Sequence, residues 1–193
     1  MSYAIIRADK FKTINWSGGI STQLYIYPET SDYALRNFDF RLSTARVEVE
    51  KSNFTPLPGV SRKIMILDGE IEISHKKHYT KKLQQFDVDA FEGDWETSSI
   101  GICTDFNLMT RGNTKGKLSS ISLLKNKTTN FKAFKEYSKI IVYLYSGKIT
   151  FLFEKEELIF NQGELLILDK KDTNSVIFNA IYNSELIVSK ISK

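Results

Sequence analysis

The stretch RKIMILDGEIEIS, residues 62–74, decides the fold class of this chain. Apolar, strand-compatible residues fill both of its halves, and Asp68–Gly69 separates them with a dipeptide that favours tight turns. This pattern predicts two strands joined at the turn. A second stretch, KIIVYLYSGKITFLFE at 139–154, has the same order of apolar run, glycine turn and following strand. The two stretches together predict an internal β repeat.

A spacing of two also dominates the rest of the chain. It predicts strands within 22–28, 38–50, 81–94, 100–111, 115–126, 157–170 and 174–192. Further glycine turns, FEGD at 91–94 and NQGE at 161–164, extend the repeat, and only short helical signals occur, near 30–37 and 130–137. Many short strands between turns are typical of sandwiches and barrels. We predict an all-β bicupin, with one cupin-like barrel at 1–114 and a second at 115–193, forming one compact unit.

Composition excludes several classes of function. The net charge of +4 is mild, and no nucleic-acid-binding motif accompanies the dispersed lysines, so no nucleic acid partner is expected. The N-terminus lacks an apolar signal segment, and no run approaches the ~20 apolar residues of a membrane span. Cys103 is the single cysteine, which fits a reducing compartment, and its apolar neighbours indicate a buried side chain. We expect a cytoplasmic protein that makes no membrane contact.

The residue types that usually carry chemistry are scarce. The chain has two histidines, His75 and His78, three residues apart in a lysine-rich segment, and we expect both to be exposed loop residues. A histidine-rich metal centre cannot be assembled from them, so we predict that this protein binds no metal and needs no cofactor. The sequence also lacks the common nucleophile and phosphate-loop motifs.

Polar side chains remain on faces that should be apolar. In 105–111 the alternation of a strand places Asp105, Asn107, Met109 and Arg111 on one side. Arg41 and Ser43 begin an otherwise apolar face of 38–50, and Arg62 shares its face with isoleucines. A guanidinium inside a small barrel needs an anion or a carboxylate partner. Either these residues line a ligand pocket, or Arg62 and Asp105 form a buried ion pair while Arg41 and Arg111 point to solvent.

Five sequence blocks resemble the HutD/Ves family. They are NWSGGISTQLYIYP, FDFRLSTARVE, NFTPLPGVSRKIMILDGEIEI, FEGD and DFNLMTR, in that order across residues 16–111. The resemblance implies two fused cupin-like barrels without the usual metal ligands. It also implies an association with histidine utilisation and a metabolite-sensing or flux-limiting role. The motif positions are Trp16, Gly18, Gly19, Thr22, Arg41, Ser43, Pro58, Gly59, Arg62, Gly93, Asp94, Asp105, Asn107, Met109 and Arg111.

Three classes of function follow from these observations. The favoured one is a small-molecule binding protein for a carboxylate metabolite, since paired guanidiniums grip planar anions. An alternative is a metal-independent enzyme using Asp105 as acid or base, although arginines beside it are expected to lower its pKa. The third is a structural or partner-binding protein, and a homodimer is left open. The predicted ligand-binding residues are Trp16, Thr22, Gln23, Arg41, Ser43, Arg62, Asp105, Asn107 and Arg111.

Overall fold

Nineteen β-strands and a 3-10 turn at Ala8–Lys10 form the regular structure of the residues that this computed structural model describes, which are 3–132, 136–153, 156–169 and 175–193. The strands of the first part of the chain are β1 (Tyr3–Ile6), β2 (Lys12–Trp16), β3 (Gly19–Tyr27), β4 (Phe40–Val47), β5 (Lys51–Asn53), β6 (Val60–Gly69), β7 (Ile71–His75), β8 (Tyr79–Leu83), β9 (Val88–Glu92), β10 (Thr97–Ile100) and β11 (Cys103–Arg111). The remaining strands are β12 (Lys115–Leu123), β13 (Thr128–Lys132), β14 (Lys139–Ser146), β15 (Lys148–Phe153), β16 (Glu156–Asn161), β17 (Leu165–Asp169), β18 (Ser175–Ala180) and β19 (Ser184–Ser192).

The chain divides into two compact units, residues 11–115 and residues 1–10 with 116–193. The first holds a six-stranded sheet ordered β2-β3-β4-β11-β6-β9 and a four-stranded sheet ordered β5-β10-β7-β8. The second holds a five-stranded sheet ordered β1-β17-β14-β19-β12 and a four-stranded sheet ordered β13-β18-β15-β16. Sequence analysis grouped the N-terminal residues with the first barrel. The structure groups them with the C-terminal half, because β1 pairs antiparallel with β17.

The two units share one strand order. The run β9-β6-β11-β4 in the first unit corresponds to β17-β14-β19-β12 in the second, and β5-β10-β7-β8 corresponds to β13-β18-β15-β16. The glycine turns hold equivalent places, but neither closes a hairpin. At Gly69 and Gly147 the chain leaves one sheet and enters the other, with φ of 81° and 92°. A side chain at Gly147 would lie 2.4 Å from the Asn183 carbonyl oxygen, so glycine is required there.

The second pair of glycine turns was matched incorrectly from the sequence. The glycine of NQGE, Gly163, lies between β16 and β17, and the equivalent turn is Gln84–Asp87 between β8 and β9. The glycine of FEGD, Gly93, instead follows β9. The two equivalent turns share a hydrogen bond from a backbone N to a carboxylate. The Gln84 N donates to Asp87 at 3.1 Å, and the Asn161 N donates to Glu164 at 2.8 Å. The turn in the first unit escaped notice because Phe86, at φ 65°, stands where the second unit has glycine.

The sheets bury separate apolar cores. In the second unit a cluster that includes Phe151, Phe160 and Phe178 fills the interior, and in the first unit Ile64, Ile66 and Ile73 belong to one apolar cluster. Cys103 lies in that cluster, buried as predicted. Among the described residues the backbone hydrogen bonds form four open sheets rather than closed barrels. The fold is therefore nearly all β, and strand closure is the part of the prediction that is not observed.

Local predictions failed at three places. Residues 33–36 form turns rather than a helix, and residues 79–92 form two strands, β8 and β9, rather than one. Residues 128–132 form β13, while 133–135, the middle of the other helical signal, lie outside the described residues. Within the described parts of the chain, no helix has the length and apolar character needed to cross a membrane.

Candidate functional site

A cavity of about 230 Å³ lies in the unit formed by residues 11–115. Strands β4, β11 and β6 are adjacent in the sheet, and Met109 on the central strand pairs with Arg41 on one side and Arg62 on the other. The two arginines therefore occupy one row, about 10 Å apart at two strand spacings. Asn107 and Asp105 lie two and four positions before Met109 on the same face of β11, and all five residues line the cavity.

Arg41 is held from three sides. Its Nε donates to Gln23 Oε1 at 2.8 Å, and its Nη1 donates to Ser43 Oγ at 2.9 Å. The Tyr33 ring lies under the guanidinium, with 4.2 Å between Cζ and the ring centroid. Burial lowers the pKa of Arg41. Neither Gln23 nor Ser43 carries charge, so both orient the guanidinium and leave its positive charge uncompensated.

Arg62 is also buried, but its guanidinium makes fewer hydrogen bonds than that of Arg41. Its Nη2 donates to Asn107 Oδ1 at 3.2 Å, and its guanidinium lies 5.0 Å from the Phe54 ring and 5.1 Å from the Phe91 ring. Its buried Nε has no hydrogen-bond partner. Burial is the main cause that lowers the pKa of Arg62, to about 10, so the side chain stays cationic near neutral pH. An unpartnered buried N–H is uncommon and calls for an acceptor.

Asp105 does not pair directly with Arg62 in the described part of the chain. Asn107 bridges them, since its Nδ2 donates a short hydrogen bond to Asp105 while its Oδ1 accepts from Arg62. Burial raises the pKa of the Asp105 carboxyl to about 7, against the opposing influences of the Arg62 charge and the Asn107 hydrogen bond. The expected lowering by arginines is therefore wrong in direction, because removing the carboxylate from water outweighs a cation that does not touch it.

The second unit shows that the fold does not require these polar residues. Ile140 lies as far before Gly147 as Arg62 lies before Gly69, so Ile140 occupies the place of Arg62. The strand pairing then puts Leu186 and Val188 at the places of Asp105 and Asn107. All three belong to the apolar core of their unit. The same strand order is thus stable with apolar side chains at these positions, which argues for a role in binding or chemistry rather than in folding.

Of the remaining predicted site residues, Trp16 lines the cavity, whereas Thr22, Gln23 and Arg111 do not. Trp16 lies beside the cavity together with Ile14 of the same edge strand, and Trp16 is 37% exposed. Gln23 acts through Arg41 rather than on the cavity. The Thr22 hydroxyl hydrogen-bonds with that of Thr13 at 3.0 Å, and the half-buried Arg111 ends β11. Neither is among the lining residues.

Three aromatic neighbours of the arginines escaped sequence analysis. Tyr33, which was assigned to a helix, comes from a turn, and Phe54 follows β5. Phe91 contacts Arg62 from β9. Phe54 and Phe91 lie within the five family blocks, and that membership was the one sequence signal for their place in the site.

His75 corrects a further prediction. It is buried rather than exposed, with Nε2 2.8 Å from Asp89 Oδ2 and Nδ1 2.8 Å from the Thr97 hydroxyl. His78 is exposed as predicted and stacks on Trp95, with 3.7 Å between ring centroids. The alternation within β7 turns His75 inward, next to Phe91, at 4.5 Å between ring centroids.

We expect the purified protein to contain no stoichiometric zinc, iron, nickel or manganese. Within the described residues, no three His, Cys, Asp or Glu side chains are grouped to hold a metal. His75 is already bonded at both ring nitrogens, so it has no free donor for one. Elemental analysis after purification without chelators checks this, and about one metal ion per chain would contradict it.

The fold and the cavity together define a class of protein, a cupin-like, nearly all-β protein whose first unit has a cavity lined by two buried arginines. Bacterial pirin YhhW of Escherichia coli, solved in complex with nickel(II), is similar at a TM-score of 0.74 and 10% identity over 97% of this chain and 98% of that one. Oxalate decarboxylase OxdC of Bacillus subtilis is similar at 0.71 and 6% over 100% of this chain and 78% of that one.

The chain belongs to the HutD family, whose model matches residues 8–186. HutD from Pseudomonas fluorescens SBW25 has a similar structure, with a TM-score of 0.75 and 20% identity over 98% of both chains. The conserved protein PA5104 of Pseudomonas aeruginosa PAO1 has a TM-score of 0.85 and 17% identity over 100% of both chains. No curated protein sequence matched the chain. The resemblance found in the five sequence blocks is confirmed.

Proposed function

We propose that this protein is a metal-free bicupin that binds a small carboxylate metabolite between Arg41 and Arg62. The observation that carries the proposal is the pair of buried guanidiniums that no carboxylate touches among the described residues. A buried charge without a counter-ion is costly, and an anion that reaches both side chains removes that cost. Charge-assisted hydrogen bonds to guanidinium are also among the strongest that proteins make.

The other residues that line the cavity indicate the chemical character of the rest of the ligand. Tyr33, Phe54, Leu57 and Met109 supply an apolar surface beside the arginines, and Ile14 and Trp16 bound it from the edge strand. A carboxylate with a compact, partly apolar body fits such a wall and a volume of about 230 Å³. Products of amino-acid breakdown have this size, and urocanate and formiminoglutamate are the candidates that the family name suggests.

The family name supports a role in amino-acid breakdown. The name HutD links the family to histidine utilisation, so we propose that the bound metabolite informs a regulatory step in histidine or amino-acid catabolism in the cytoplasm. The Pseudomonas fluorescens structure was determined in a formate condition, and formate is the smallest carboxylate. The equal strand order of the two units supports a bicupin origin, in which the first unit has a cavity where the second has core residues at the places of Arg62, Asp105 and Asn107.

A thermal-shift screen of carboxylates tests the proposal. At a hundredfold excess over Kd, a ligand that binds only the folded state stabilises it by about 2.7 kcal/mol. For a chain of this size we expect a rise in melting temperature of about 5–10 °C. Uncharged amides of the same shape should give no shift, because they lack the anion that relieves the buried charge.

Arginine variants test whether the rise in melting temperature comes from binding at Arg41 and Arg62. Arg62→Gln should abolish the shift while the protein stays folded, and Arg41→Gln should weaken it. Arg46→Gln is the matched control, since Arg46 lies on the same strand as Arg41 but is exposed and pairs with Glu48 at 3.2 Å. If no carboxylate moves the midpoint, or if Arg62→Gln and the parent respond alike, the pocket does not bind carboxylates.

A metal-independent enzyme is a second candidate, favoured by the raised pKa of Asp105, which suits a general acid or base near neutral pH. Arg62 would then stabilise negative charge that develops on the substrate. Incubating the protein with each stabilising carboxylate and following the mixture by NMR decides between the two roles. Turnover that Asp105→Asn abolishes, without loss of binding, would favour the enzyme.

A further inference from the structure

We infer that the cavity takes up its anion together with one proton, which resides on Asp105, so that carboxylate affinity falls as the pH rises. The inference deepens the proposed function and rests on it. In this inference Asp105 sets the charge of the cavity by gaining or losing one proton. Arg62 then faces either the ionised Asp105, across Asn107, in the empty cavity or the ligand carboxylate when Asp105 is neutral.

The position of Asp105 sets up this competition. Its side chain is 3% exposed and lies two same-face rows from Arg62, and Asn107 on the row between them hydrogen-bonds to both. Among the described residues, Asn107 is the one side chain that donates a hydrogen bond to the Asp105 carboxylate. A carboxylate this poorly solvated gains little from staying ionised. Its equivalent in the second unit is the buried Leu186, so the charge is not needed to hold the strands together.

A bound anion increases the affinity of the Asp105 carboxylate for its proton. Two carboxylates that share one buried site cannot both ionise cheaply, so one of them retains a proton. The protonated Asp105 also changes from an acceptor to a donor and can offer its O–H to the ligand. The ionised form would instead repel the ligand while neutralising part of the positive charge that attracts it.

Asp105 is the one carboxyl group among the described residues that line the cavity. The titratable residues that line the cavity are Tyr33, Arg41, Arg62 and Asp105. Arg62, with a pKa of about 10, stays cationic. Cys103, further back on β11, has its pKa raised to about 12 by burial and stays a neutral thiol. The raised pKa of Asp105, about 7, accordingly places the transition near neutral pH.

Isothermal titration calorimetry with formate, glutarate and benzoate tests the linkage between pH 6.5 and 8.5, where these probes are ionised. We expect the Kd to rise by roughly tenfold per pH unit above the transition. Paired buffers of different ionisation enthalpy should show uptake of nearly one proton per ligand at pH 8. In Asp105→Asn, which mimics the neutral acid, the Kd should stay at its low-pH value and no proton should be taken up.

The outcomes separate this inference from the proposed function. Binding with a Kd that is flat across the range, and without proton uptake, overturns the linkage and leaves carboxylate binding standing. Absence of binding by all three probes at every pH overturns both. NMR of the carboxyl carbons, with the Asp105 signal assigned through Asp105→Asn, reads the titration independently of any ligand. A signal that titrates below pH 5 would also overturn the linkage.

Discussion

Asp89→Ala is expected to lower the free energy of unfolding by roughly 3–5 kcal/mol. The Asp89 carboxylate is 5% exposed and accepts from the His75 ring at 2.8 Å and from the Tyr79 hydroxyl at 3.2 Å. The Lys81 ammonium adds a contact at 3.6 Å. Truncation leaves the His75 ring, 1% exposed, without its partner in a site that water does not reach. Chemical denaturation followed by tryptophan fluorescence measures the loss.

Asp94→Ala is the matched control, because Asp94 is exposed and lies only five residues further along the same region. We expect its effect to stay within about 0.5 kcal/mol. Tyr79→Phe, which removes one donor and leaves the His75–Asp89 contact intact, should fall between the two variants. An Asp89→Ala protein as stable as the Asp94→Ala protein would show that this buried network contributes nothing to stability.

Asp105→Asn is expected to stabilise the protein above neutral pH, by up to about 4 kcal/mol. That figure is the free-energy equivalent of a carboxyl whose pKa is raised from 3.8 to about 7 by folding. Between these values the unfolded chain has lost the proton that the folded protein keeps. Stability of the parent therefore falls as the pH rises from about 4 to about 7, and then levels off. Asparagine keeps the shape and an acceptor oxygen for Asn107, and it carries no such cost.

The test is the difference between parent and variant, measured by urea denaturation at several pH values. The difference should be near zero at pH 4, grow towards pH 7 and remain constant beyond it. Asp68→Asn, at an exposed position, supplies the control and should show no such trend. If Asp105→Asn is instead less stable than the parent at pH 8, Asp105 is an ionised partner of Arg62, and desolvation does not dominate its titration.

Part of the site was predictable because strand alternation is a local property. Asp105, Asn107 and Met109 are two residues apart, so the pattern alone placed them on one face, and the cavity confirms that they share it. The same reasoning placed Arg41 with Ser43, which hydrogen-bond to each other. The row that joins Arg41, Met109 and Arg62 was not predictable, since it depends on the pairing of three strands far apart in the chain.

By itself the sequence determined the nearly all-β class, the internal repeat and the family, since each is written in short-range patterns. Tertiary structure alone decided that His75 is buried, that Asn107 separates Arg62 from Asp105, and that the equivalent place in the second unit is filled with apolar side chains. It also reversed the direction in which the pKa of Asp105 moves. The physical reason is that desolvation and charge act through space. Their balance at a carboxyl depends on how far water is excluded and on whether a cation touches it, and residues distant in sequence set both.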